Sequence, residues 1–493
     1  MKAMAPARGK IPLPALFPAL CALFFSACDA LNNPIKEDIE YNLSFTPVTT
    51  GEALAEAITG LPPGGSGVFT LVDDITLSGP LAVDGKTVAL EGYSGRTVRV
   101  SRGPGYTGKL FTVPSGGSLV LGGGRNRGRG TLVLDGESAA TADPLIEVIG
   151  GSLTLNSGAE LRNNDRPGAN GGGVAVDGGT FTMTGGTVSG NKANNGGGVH
   201  VTGGGAFTMT GGTISGNTAS NDGGGASVDH GTFTMYGGNI TGNTVTVYSA
   251  GGLALNAGTF TIYGGSISGN IARNNGGGVM LTGYELYSGY IPAARGRLTM
   301  YGGSISRNTS ANGSGGGIVL QGNVEFTLYG GTISGNKANS GYGGGIFFND
   351  GDSRFTMEGG TVSGNMASGY SSRGGGVYVK NSDDSFTMNG GTIGENTADN
   401  GNGVYFNDGA FTMGGSGAVL PGNVVYLPSG KMITVTGALN PPGGIAAVIK
   451  SEITASGTPL VTGSPTPADV GKFRYNDAGT LLDDTTSGAG KIP

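Results

Sequence analysis

Paired Asp or Glu side chains within a few ångströms of each other can bind a metal or act as acid and base, so they are tested first. The chain holds 34 Asp and Glu, thinly spread. Asp177 and Asp229 fall at equal phase two repeat lengths apart, with Thr202 between them. Asp350 and Asp408 do likewise, with Asn381 at nearly the same phase between, and Asp383 and Asp384 share one loop. None of these makes a tight cluster with a paired base, and His200 and His230 are solitary and out of phase. Gly runs recur in every repeat and never open a helix, so no phosphate-binding loop is expected. The expectation is a chain that is not an enzyme, with no cofactor and no metal site.

Aromatic residues offer a different chemistry. Tyr236, Tyr263, Tyr301 and Tyr329 recur at one position of four successive repeats. Stacked aromatics at that spacing could pack on sugar rings. Val319, Phe347, Tyr378 and Tyr405 occupy an outward strand position late in the chain and are expected to form an exposed apolar stripe, a partner site on a monomer. One long repeat inserts a loop with Tyr284, Tyr287, Tyr290 and Ile291, and loops on a rigid scaffold carry function. For each group the alternative is self-stacking that merely stabilises the sheet. An outward Thr column (Thr182, Thr208, Thr234, Thr261, Thr299, Thr327, Thr356, Thr387, Thr412) is similar to the flat Thr arrays of ice-binding solenoids, although β propensity explains it more cheaply.

The element that positions these residues is an internal repeat over 171–423, and such a repeat outranks other sequence signals. Its landmark is Phe181, Phe207, Phe233, Phe260, Leu298, Phe326, Phe355, Phe386 and Phe411, at intervals of 26, 26, 27, 38, 28, 29, 31 and 25 residues. Each interval carries three short β runs, as in Val174–Val176, Phe181–Met183 and Thr187–Ser189, which predicts triangular coils stacked in parallel. Alternation points Phe181 and Met183 inward and Thr182 outward. The Met and Ile columns behind Met183 and Val188 read as core. A polar column is as regular: Asn191, Asn217, Asn243, Asn270, Asn308, Asn336, Asn365 and Asn396, expected to form an amide ladder between coils.

The flanks are organised around this array. Residues 66–170 read as less regular coils, 424–461 as closing strands and 462–493 as a loose tail. Residues 49–65 predict a short capping helix, with Thr49 and Glu52 as a capping box and Leu54, Ala57, Ile58 and Leu61 on one face. Residues 28–48 read as a flexible tether. The chain is 103 Gly and 22 Pro out of 493, a level that elsewhere means disorder, but the apolar periodicity argues against it here. Only 13% of residues are charged and no basic stripe exists, so nucleic acid is not an expected partner.

These coils resemble the right-handed parallel β-helix of the pectin lyase-like superfamily. The run Ile214 to Gly225, Ile-Ser-Gly-Asn-Thr-Ala and then Gly-Gly-Gly, is similar to the repeat of the polymorphic outer-membrane proteins, with Ile214 where that family has Phe. The resemblance spans most of 68–439 and implies an all-β rod of about 13 coils, on the order of 60 Å long. Residues 1–27 have the order of a secretory leader: Lys2, Arg8 and Lys10, then an apolar run, then Ser26-Ala27-Cys28. The ending resembles a bacterial lipoprotein signal and implies lipidation of Cys28. Cys21 would leave with the leader, so no disulfide can form, and the net charge would pass from −6 to −9. The expected protein is a monomeric, exported lipoprotein held to a membrane by its lipid, at the outer membrane, cell surface or inner membrane. Its expected role is adhesin-like or structural display toward a host or cell-surface glycan or protein; the alternative is carbohydrate binding or cleavage.

Overall fold

Alternating Thr-Phe-Thr-Met can bury one face only by pairing with a copy of itself, and each coil does so with the next. Phe181 pairs with Phe207, Phe207 with Phe233 and Phe233 with Phe260, all in parallel register. The 38-residue interval leaves this register intact, because Phe260 pairs with Leu298 and Leu298 with Phe326. The computed structural model describes residues 46–123, 130–138, 143–283, 295–463, 465–476, 480–482 and 489–492. By contacts the chain divides into Met1–Thr46 and Pro47–Pro493, and the fold described here is that of the second unit. It is an all-β parallel β-solenoid of about 15 turns, slightly more than the 13 coils expected over 68–439, because strands beyond residue 439 continue the parallel stack.

Seven of the nine regular coils add a fourth, short strand to the three expected. Val174–Asp177 belongs to a 16-stranded first sheet, Thr180–Met183 to a 17-stranded second and Thr187–Ser189 to a 13-stranded third. The fourth sheet has seven short strands, from Lys192–Asn195 to Met366–Ala367. These strands are as short as two residues with one inward Ala or Val, which is why alternation does not reveal them.

The Phe column is buried, and its rings stack at 4.4–4.9 Å where Phe follows Phe. The Asn column is a continuous ladder. Asn243 Nδ2 donates to Asn270 Oδ1 at 3.0 Å and to the Ile214 carbonyl at 3.0 Å, while the Asn243 N–H donates to the same Asn270 Oδ1. Buried amides are thereby satisfied in full. Two more rungs join it, Asn164 before and Asn423 after. Every amide oxygen from Asn191 to Asn423 accepts from the coil before it, so the dipoles align, and the buried Arg102 guanidinium donates to Asn164 Oδ1 at the negative end.

Both ends of the core are covered. The helix Gly51–Gly60 is capped by Thr50, whose hydroxyl accepts from Ala53 N; the cap is thus one residue later than the predicted Thr49. It buries Leu54 and Ile58, and a side chain at Gly51 would collide with the Thr76 carbonyl of the first coil. At the other end the segment read as a loose tail is structured where it is described. Pro459–Thr462 and Gly490–Lys491 pair antiparallel, as do Phe473–Tyr475 and Thr480–Leu481, and Val470, Phe473, Leu482 and Ile492 enter the core. Antiparallel closure removes the open edge that a parallel stack would present. Short hydrophobic runs among Gly, Ser and Asp had concealed it.

Candidate functional site

The Tyr column lies where the second sheet turns into the third. In Phe-Thr-Met-Tyr, Phe and Met point in, so Thr and Tyr point out. Two glycines then turn the corner. A Cβ at Gly264 would sit 2.7 Å from the Tyr236 carbonyl of the preceding coil, and Gly265 has φ +89°. Only glycine tolerates both demands. The corner therefore places each Tyr directly over the last. Ring centroids are 4.9 Å apart for Tyr236–Tyr263, 5.1 Å for Tyr263–Tyr301 and 5.0 Å for Tyr301–Tyr329, with planes within 6°.

The four rings are 49%, 49%, 37% and 50% exposed. Their faces are spent on one another, so a sugar ring cannot pack on an interior Tyr face as expected; edges and hydroxyls meet solvent. Burial and the neighbouring Tyr236 and Tyr301 push the Tyr263 phenol above its usual range, which keeps it a hydrogen-bond donor. On one side lie the half-buried Thr234, Thr261, Thr299 and Thr327 of the second sheet. On the other lie Asn239, Ser266, Ser304 and Thr332, which open the third-sheet strands. This third column was missed, although the alternation in Ser-Ile-Ser signals it.

The predicted apolar stripe is not exposed. Phe347, Tyr378 and Tyr405 leave the main core, as alternation requires, but are buried with Ala250, Ala254, Met280 and Val319 in a second hydrophobic cluster. The Gly-Gly-Gly segment folds back over them: a Cβ at Gly343 would sit 2.7 Å from Phe347 Cβ, and one at Gly374 2.8 Å from Tyr378 Cβ. Arg373 closes the cluster, its guanidinium 4.9 Å from the Tyr405 ring centroid. Burial pushes the Tyr405 phenol up to about 12. Tyr284, Tyr287, Tyr290 and Ile291 lie outside the described residues, as do Cys28 and the leader.

The structure also pairs His200, which reads as solitary in sequence. His200 Nε2 lies 2.9 Å from Asp229 Oδ2, while Ser227 and Asn256 donate to Asp229 Oδ1. Burial pushes the Asp229 carboxyl up, but these hydrogen bonds outweigh it and hold it below the usual carboxylate range. Ser227 is fully buried and donates to the Asp, not the His, so the trio is a strut rather than a nucleophile with its base. Asp384 ties down its turn through Ser353 N and Asn381, and Asp408 pairs with Lys431. Among the described residues no three His, Cys, Asp or Glu are arranged to hold a metal, and no helix is long and apolar enough to cross a membrane. No known family model, curated protein or solved structure matches this chain.

Proposed function

We propose that this chain is an exported bacterial lipoprotein whose β-solenoid rod acts as an adhesin-like display surface. One observation carries the reading. Coils before the Tyr quartet build the same corner with Thr184 and Thr210, and coils after it use Glu358 and Asn389. The scaffold does not need tyrosine there, yet four consecutive coils expose it. Exposed aromatics without a folding role mark recognition. By resemblance we assign the rod to the right-handed, pectin lyase-like type with repeats akin to the polymorphic outer-membrane proteins. The leader, Cys28 and the 28–48 tether support lipid anchoring of a rod roughly 70 Å long. The closed ends support a monomer.

Two measurements test this in cells. Metabolic acyl labelling is expected on the wild type and absent from Cys28→Ser. Protease added to intact cells is expected to digest the rod. An unlabelled wild type would end the lipid-anchor reading, and full protection from protease would end surface display.

A further inference from the structure

We propose that the corner bearing Tyr236, Tyr263, Tyr301 and Tyr329 binds an extended, uncharged glycan chain running parallel to the rod axis, one sugar unit per coil. This deepens the display reading and rests on it.

The first argument is repeat distance. Parallel coils rise by about 4.8 Å, and the rings follow at 4.9–5.1 Å. A pyranose unit in an extended β-linked chain advances by nearly the same distance. A polymer laid along the corner would meet an equivalent phenol hydroxyl at each unit.

The second argument is chemistry. Both flanking columns are Thr, Ser and Asn over these four coils. Hydroxyls and amides both donate and accept, which suits a polyol. Of the nearby charges, Arg297 and Glu325 pair with each other at 3.7 Å, and the carboxylate of Glu358 stands at the end of the Tyr column. No unpaired positive charge is left beside the column to select an anionic polymer, so the glycan is neutral. Because ring faces are closed within the stack, recognition runs through phenol hydroxyls and ring edges. Stacking fixes the rings beforehand, so binding orders fewer side chains.

The third argument is extent. Four exposed rings make a site of four units, ended by Thr210 on one side and Glu358 on the other. This sets the test. Full-length protein is titrated with cello- and chito-oligosaccharides of increasing length. Affinity is expected to rise roughly fivefold per added unit, the worth of about one net hydrogen bond, and to level off at four units. Tyr301→Thr, a residue the scaffold already uses at this corner, should move the plateau to two units with the fold retained by circular dichroism. Glu358→Tyr should lengthen it to five.

No binding by either neutral series, a plateau that ignores both substitutions, or tighter binding of polygalacturonate would each overturn the proposal. So would binding only of a protein ligand at this corner. Acylation and protease accessibility are measured without glycan, so display can fail while the glycan site stands, and the reverse.

Discussion

Asn308→Asp tests the ladder by changing one atom. Asn308 is fully buried. Its Oδ1 accepts from Asn270 N and Nδ2 at 3.0 and 2.9 Å, and its Nδ2 donates to the Ile267 carbonyl and Asn336 Oδ1 at 2.9 and 3.0 Å. Aspartate keeps the accepting oxygen but turns the donor into a second oxygen facing two acceptors. Only the protonated acid can donate to one of them. Its folded pKa must therefore rise above the unfolded value of about 3.9. A raised folded pKa gives stability that is complete at low pH and lost as pH rises. Near pH 4 the variant should lose about 2 kcal/mol, for one missing hydrogen bond and one crowded oxygen. At pH 7 holding the acid neutral adds about 4 kcal/mol. In a solenoid the loss is local. Hydrogen exchange at the Asn270, Asn308 and Asn336 amides, wild type against variant at both pH values, reads it directly. Equal destabilisation at the two pH values, or a greater loss at pH 4, would refute the ladder geometry.

Gly264→Ala should destabilise by about 3 kcal/mol, because its Cβ would crowd the Tyr236 carbonyl at 2.7 Å. Gly269→Ala, at φ +64° with its nearest neighbour 3.8 Å away, should cost only about 1 kcal/mol; thermal melts of the two rank them. Burial pushes Asp222 up to about 6, with the Asp229 charge adding to it. Its favourable contribution is present below about pH 4 and lost as pH rises through 6, so Asp222→Asn should stabilise at pH 7 and change little at pH 4. Removing 466–493 takes Val470, Phe473 and Leu482 from the end of the core. The truncated rod should associate in a concentration-dependent way on size-exclusion chromatography, where the full chain is expected to elute as a monomer.

The rod was legible because its inward columns obey one rule in every coil. Phe181 to Phe411 and Asn191 to Asn396 could be written down before any coordinates. What failed was the step from outward to exposed. Phe347 and Tyr378 do point away from the main core, as period-two alternation demands. Nothing in that alternation says that three glycines four residues earlier will fold back and cover them. The fourth sheet escaped for a related reason, since two-residue strands such as Lys337–Ala338 hold too few positions to show a period. The end cap hid because its strands are brief and its core residues are far apart in sequence. Asn164 lies before the regular repeat, where no Phe-Thr-Met marks its phase, and Asn423 stands 12 residues after Phe411 where the other rungs stand 10 after their landmark.

The same structure explains how one coil can change without disturbing its neighbours. Register is held from inside by the Phe column and the Asn ladder, and both bridge the 38-residue interval. Asn270 still reaches Asn308 Oδ1 at 2.9 Å, and Phe260 still pairs with Leu298. An insertion between two strands is therefore absorbed at a corner rather than passed along the axis. Corner side chains bear no part of that restraint, because Thr, Tyr, Glu and Asn all occupy the same corner position. A scaffold built this way lets its surface be altered coil by coil at little cost to folding. Four consecutive tyrosines on such a surface are hard to attribute to stability, since the Asn ladder runs unbroken through those coils even where Leu298 interrupts the Phe stack.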